Sequence, residues 1–85
     1  MPYIQDFTIH FLKDVKKIKK DKILLERLNK KIEEILQNPE HYKPLKNVLK
    51  GKRRAHIGSY VIIFEISENK VIFHTFEHHD KAYKL

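Results

Sequence analysis

The sequence predicts an α+β fold: a two-helix hairpin packed on one face of a small, mainly antiparallel β-sheet, in the order β-α-α-β-β-β. Three observations predict it. Apolar residues recur at helical spacing through most of the first half of the chain. The period changes to that of strands after Gly51. Only three prolines and two glycines punctuate the 85 residues, so the elements divide cleanly within a single domain spanning 1–85.

Tyr3 to Phe7 reads as a short first strand. Thr8 can cap the helix behind it, because its hydroxyl can accept from the unpaired amides of a first turn. Phe11, Leu12, Val15 and Ile18 then recur at helical spacing, with Lys13, Lys16 and Lys17 between them. Asp21 is the next cap. Leu24, Leu25, Leu28, Ile32, Ile35 and Leu36 form one apolar stripe behind it. Asn38-Pro39 ends this helix, because proline bars the helical region to the residue before it. So short a connection predicts an antiparallel helix pair. His41 to Gly51 reads as a loop bent at Pro44 and Gly51. Arg53 to Ile57 is the second strand. Tyr60 to Ile66, nearly all β-branched or aromatic, is a central strand buried on both faces. Ser67-Glu68-Asn69 turns the chain, Val71 to Phe76 returns as the hairpin partner, and a tail follows. Helices on one face leave the other free, and that face is the natural place for a site.

The composition excludes several classes. There is no cysteine, so disulfide scaffolds, thiolate zinc sites and cysteine nucleophiles are ruled out, which suits a reducing cytoplasm. No apolar run approaches the length of a membrane span, and Met1 to His10 lacks the apolar stretch of a signal peptide. The expectation is a soluble, cytoplasmic protein with no membrane association. Eighteen Lys and Arg against eleven Asp and Glu leave a formal charge of +7. Such a field attracts polyanions: RNA, DNA, an anionic membrane or an acidic protein.

The cations are unevenly spread. Lys46, Lys50, Lys52, Arg53 and Arg54 fall just before the central hairpin, and two of the chain's three arginines are among them. On a sheet edge they could line a groove and neutralise several phosphates; the alternative is a solvated loop. His56 follows them, and His78, His79, Asp80, Lys81 and Tyr83 lie in the tail. RNA cleavage needs one group to take the 2′-hydroxyl proton, another to protonate the leaving 5′-oxygen, and cations to hold charge on the phosphorane. His56, His79, Tyr83 and Arg54 would supply that set if the tail folds back onto the sheet. Each histidine alone reads more readily as structural or merely exposed, so the combination carries the reading.

Tyr60 is either a stacking platform for a base or part of the core, and Phe64, Phe73 and Phe76 read as core. No metal site is expected: His78, His79 and Asp80 would point alternately from a strand, and there is no HExxH spacing. The chain also lacks a phosphate-cradling glycine loop, and Ser59 and Ser67 lack a triad context.

Leu49 to Ile66 (LKGKRRAHIGSYVIIFEI) followed by Glu77 to Tyr83 (EHHDKAY) resembles the RelE/ParE superfamily of toxins from type II toxin–antitoxin pairs. The FTIHFLKDVKKI opening (Phe7 to Ile18) and the proline-terminated second helix agree with it, so the likeness covers nearly the whole chain. The nearest branch is that of YafQ, with an Ala-His pair before an aromatic strand and a late histidine four residues before an aromatic; here these are Ala55-His56, and His79 with Tyr83. The resemblance implies a RelE-like fold and a ribosome-dependent endoribonuclease (an mRNA interferase) that inhibits translation. Its 2′-hydroxyl chemistry uses no metal and no cofactor. The implied partners are ribosome, mRNA and a cognate antitoxin with an acidic segment. It also implies His56 as general base or proton relay, His79 or His78 with Tyr83 as acid and phosphate contact, and Arg54 on the phosphorane. Lys46, Lys50, Lys52, Arg53, Tyr60 and Lys81 would bind nucleic acid.

There are departures. Val61 and His79 stand where RelE proper has arginines, so that arginine and lysine set does not carry over. Asn47 and Ser59 stand where the YafQ pattern has a histidine and an aspartate. Two other functions remain open: a ParE-like, non-catalytic gyrase inhibitor, and a degenerate RNA- or protein-binding module.

Overall fold

The computed structural model describes residues 3–82. The chain opens with β1 (Ile4–Phe7), α1 (Ile9–Lys17) and α2 (Lys22–Gln37). Both expected caps form: the Thr8 hydroxyl accepts from the Phe11 amide at 3.0 Å, and Asp21 Oδ1 from the Leu24 amide at 3.1 Å. The Thr8 hydroxyl also donates to the His74 carbonyl at 3.1 Å, so the cap that starts α1 ties it to the sheet. Pro39 ends α2 as expected and begins a single 3-10 turn, Pro39–His41.

Four further elements complete a five-stranded sheet: β2 (Lys43–Pro44), β3 (Lys52–Ile57), β4 (Tyr60–Ser67) and β5 (Lys70–His78). The strand order is β1-β5-β4-β3-β2. β1 runs parallel to β5, and every other neighbouring pair is antiparallel. β1 pairs only with Lys70 to Phe73. Beyond that point α1 takes its place along β5, where Asp14 Oδ2 accepts from the Phe76 amide at 3.1 Å.

Three sequence expectations need correction. The segment His41 to Gly51 is not a plain loop: β2 pairs with Arg53 and Arg54, and Asn47–Leu49 forms a second 3-10 turn. The pairing was hidden because Pro44 has no amide to donate, and a proline in a strand belongs at an edge, where β2 lies. The last strand runs two residues past Phe76, to His78. His79–Ala82 then form a short helix, α3.

Two cores result. The larger joins Phe11 of α1, Leu24, Leu28, Ile32 and Ile35 of α2, and the sheet residues Ala55, Ile57, Ile62, Phe64, Val71, Phe73 and Phe76. The smaller, on the opposite face, is Leu49, Val61, Ile63 and Ala82, with Leu45 at its edge. β4 serves both: Val61, Ile62, Ile63 and Phe64 are all buried. That is the doubly covered central strand expected of its unbroken apolar run. The face away from α1 and α2 is therefore not wholly free; the 45–49 segment and α3 cover part of it. No described helix is long and apolar enough to cross a membrane.

Candidate nucleic-acid interface and active site

Residues paired across antiparallel strands share a face. The register therefore gives the second face three rows. His56, Val61 and Glu77 form one, and Arg54, Ile63 and Thr75 the next. Lys52, Glu65 and Ile72 form the third. Val61 and Ile63 are the floor of the smaller core, and the ionisable groups stand around it, on β3, β5 and, at Glu65, on β4 itself. Arg54 and His56 thus alternate on β3, facing the same side as the floor. His56 is exposed and Arg54 half-buried. Lys46 and Lys50 lie exposed on the segment that folds over this face.

The tail reaches the same face. Ala82 is buried against Leu49, Val61 and Ile63, so α3 is docked and Lys81 is carried with it. The His79 amide donates to the Ser59 carbonyl at 2.8 Å. Its Nδ1 lies 3.4 Å from the same oxygen. His79 therefore sits on the β3–β4 turn, and His56 lies one residue pair in from that turn. Both histidines gather at one end of the sheet. The described hydrogen bonds, ion pairs and ring contacts of His79 run to Ser59, His78 and Asp80, and none of them to His56. Tyr83 lies outside the described residues.

His78 takes a different place. Its register partner is Tyr60, whose ring stacks on Phe76 at 5.0 Å in the helix-side core and meets the His78 ring edge-on at 6.0 Å. His78 therefore faces the helix side, while its ring still lies 4.6 Å from that of His79. Asp80 reaches both imidazoles, at 3.4 Å from His78 Nδ1 and 3.1 Å from His79 Nε2. The alternation expected to keep these three residues apart fails because the strand ends at His78 and a helical turn begins at His79.

Two residues grouped with the phosphate binders lie on the other side. Arg53 alternates away from Arg54, and its Nη1 donates to the Tyr42 carbonyl at 2.8 Å and the Glu40 carbonyl at 3.4 Å. It clamps the chain after α2. Tyr60 packs as the edge of the large core. A linear run of cations said nothing about this, because neighbouring strand residues face opposite ways.

Sequence reasoning also passed over residues that shape the site. Leu45, Leu49 and Ala82 anchor the covering segments, and the spacing of two leucines inside an otherwise polar stretch was the available signal. His74 is the extra residue of a bulge in the β4–β5 ladder, and its Nε2 meets Glu65 Oε1 at 2.5 Å, on the row of Lys52. Asp14 is only 2% exposed. Burial pushes its carboxyl above the usual range, against the pull of the Phe76 amide and His10.

Residues 6–83 match the family model described as the ParE toxin of a type II toxin–antitoxin system, parDE. A Methanocaldococcus jannaschii chain named as a candidate toxin, RelE4, is 49% identical over 69 residues, covering 78% of this chain and 73% of that one. The toxin–antitoxin complex RelBE2 of Mycobacterium tuberculosis contains a chain that superposes with a TM-score of 0.79 at 25% identity, over 92% of this chain and 99% of that one. YafQ from E. coli superposes equally well, with a TM-score of 0.79 at 22% identity, over 95% of this chain and 98% of that one. The family match spans nearly the whole sequence, and the fold superposes on both solved structures over more than nine-tenths of this chain. The chain is therefore a member of the RelE/ParE superfamily, a toxin of a type II toxin–antitoxin system.

Proposed function

We propose that this toxin is a ribosome-dependent mRNA endonuclease that works without a metal. The observation that carries the reading is the shared second face. Arg54 and His56 alternate on it, and α3 docks there through Ala82, with His79 at the same end of the sheet. In the reaction the 2′-oxygen bonds to phosphorus as the bond to the 5′-oxygen breaks, leaving a 2′,3′-cyclic phosphate and a free 5′-hydroxyl. His56 takes the 2′ proton, directly or through a relay. His79, with Tyr83, returns a proton to the leaving oxygen; His78 is the alternative donor. Arg54 holds the charge that gathers on the phosphorane. Lys46, Lys50, Lys52 and Lys81 hold mRNA or ribosomal RNA backbone by charge. Arg53 and Tyr60, which face the helices, contribute by holding the fold.

In the cell such a protein acts in the cytoplasm and is neutralised by a cognate antitoxin carrying an acidic segment. The RelBE2 relative is itself a toxin–antitoxin complex. Translation in vitro, with and without a chelator and with mapping of mRNA ends, tests the activity. Cleavage within translated codons under both conditions is expected. Intact message at a growth-arresting dose overturns the proposal.

The matching family model, that of ParE, favours a second reading, a gyrase inhibitor with no chemistry of its own. Supercoiling assays separate the two. Equal inhibition of gyrase by the wild type and by a His56→Ala, His79→Ala double variant selects the second reading.

A further inference from the structure

Two hollows border α2 at the β3–β4 turn. The first, of about 200 Å³, is lined by Arg27, Lys30, Lys31 and Glu34 of α2 and by His56 and Ile57 of β3. The second, of about 330 Å³, shares Arg27 and Ile57 with the first. It continues between Ile23 and Leu24 of α2 and Gly58, Ser59 and Tyr60 at the turn, with Asp21 also on its wall. The two therefore form one trough. We propose, on the reading that this toxin cuts mRNA, that the trough is a track for the RNA strand beside the scissile phosphate, with Arg27 and Lys30 holding backbone phosphates and the apolar half taking a base.

Charge supports the track. The trough's two carboxylates are engaged: Glu34 Oε1 meets Lys31 Nζ at 3.1 Å, and Asp21 Oδ1 accepts from the Leu24 amide at 3.1 Å. Among the described residues no carboxylate pairs with Arg27 or Lys30, and both are exposed. Gly58, at φ +56°, brings no side chain to the turn, and Arg27 Nη1 and Nη2 stand 3.7 and 3.8 Å from where a Cβ would sit there. The guanidinium thus lies over the turn with its N–H groups uncommitted, and its planar fork suits phosphate oxygens.

Position supports it independently. β2 pairs with β3 only at Arg53 and Arg54, so His56 stands at a bare edge of the sheet, open to the active face and to the trough alike. The Lys52 carbonyl accepts from the Leu45 amide at 2.8 Å, on the β2 side. Alternation turns the His56 N–H and C=O off that same edge, a donor for a phosphate oxygen and an acceptor for a ribose hydroxyl. Further along, the trough passes Ser59, whose carbonyl holds the His79 amide. A strand lying in it runs past both proposed acid–base groups. An acidic peptide is the other polyanion to consider, and it would dock as an added strand. The bare edge spans only Ala55 to Ile57, and of these only His56 turns its backbone outward, too little for a strand of about five or six residues.

Fluorescence anisotropy with a short single-stranded 2′-O-methyl RNA, read over a salt series without ribosomes, tests the track apart from cleavage. The slope of log affinity against log salt should become shallower by roughly 0.7 in Arg27→Ala, and by as much again in an Arg27→Ala, Lys30→Ala double variant. A Lys13→Ala, Lys16→Ala double variant removes the same charge from α1 and should leave the slope unchanged. Arg27→Lys should keep the slope and bind more weakly, because the fork is lost. Both trough positions are exposed helix sites, where alanine is well tolerated. Unchanged slopes at Arg27 and Lys30, or an equal fall in the α1 variant, would overturn the track. Loss of polyglutamate binding in the trough variant with RNA binding intact would overturn it too, and would give the trough to an acidic protein. Message left uncut in translation by a wild type whose RNA binding does depend on Arg27 and Lys30 would reject the nuclease reading and leave RNA binding along the trough standing.

Discussion

The two faces of this sheet are cut from the same strands and are built for opposite ends. On the helix side all five phenylalanines gather, with the apolar stripes of α1 and α2. On the other side a small aliphatic floor of Leu49, Val61, Ile63 and Ala82 is flanked by Lys52, Arg54, His56, Glu65, Thr75 and Glu77. Only β4 is apolar toward both. The comparison teaches that alternation along β3 and β5 separates core packing from the polar face one residue at a time. Ala55 and Ile57 are buried in the large core, while Arg54 and His56, alternating with them, face the other side.

The sharpest way to break that comparison is on the helix side. Phe73→Ala removes a ring fully buried between Phe11 and Phe64. It should cost about 3–5 kcal/mol, a large part of what a chain this size possesses. Urea denaturation measures it; a loss under about 1 kcal/mol would mean the large core is not the source of stability.

His56→Ala should do the reverse. On the proposed mechanism, loss of this acid–base group should lower cleavage about 100-fold or more, while an exposed substitution leaves stability within about 0.5 kcal/mol. Codon cleavage rates and the urea midpoint are read on the same preparation. A matching fall in both would erase the division between faces.

Ala82→Asp tests whether the floor holds the tail. A charge placed against Val61 and Ile63 should release α3, open it to proteolysis and abolish cleavage, while the helix-side core stays folded. Retained cleavage would show that the docked tail is not part of the active face.

Adjacent cations sharpen the comparison further. Lys52→Ala should reduce the salt dependence of RNA binding by about one phosphate contact. Arg53→Ala should leave that slope alone and instead cost about 1–2 kcal/mol, because its guanidinium serves two backbone carbonyls. Slopes that change equally in both would put Arg53 on the binding side.

The smallest effect lies at the exposed margin of the helix side. The Tyr3 hydroxyl donates to Glu40 Oε2 at 2.7 Å, and this bond holds the Glu40 carboxyl below its ordinary range. A carboxyl depressed in the folded chain adds stability above its unfolded value, and loses it as pH falls through the folded value. Tyr3→Phe should therefore lower stability slightly at neutral pH and flatten the acid limb, the difference from the wild type vanishing once pH falls below the folded value. A difference that persists undiminished in strong acid would contradict the assignment.

Much of this was legible in the chain itself. The caps at Thr8 and Asp21, the stop at Asn38-Pro39 and the doubly buried β4 are local matters, set by a side chain's reach to nearby amides or by an unbroken apolar run. The likeness of Leu49 to Ile66 and of Glu77 to Tyr83 to RelE/ParE toxins was legible too. What only the tertiary structure decided is which way each candidate faces and what meets it. The register sent Arg54 and His56 to one side, and Arg53 and Tyr60 to the other. Ala82 docked the tail, and α1 came alongside β5 so that Asp14 could meet Phe76 and Glu77. Composition and spacing are written along one dimension. Facing depends on strand register, and register is settled by contacts between residues far apart in the chain.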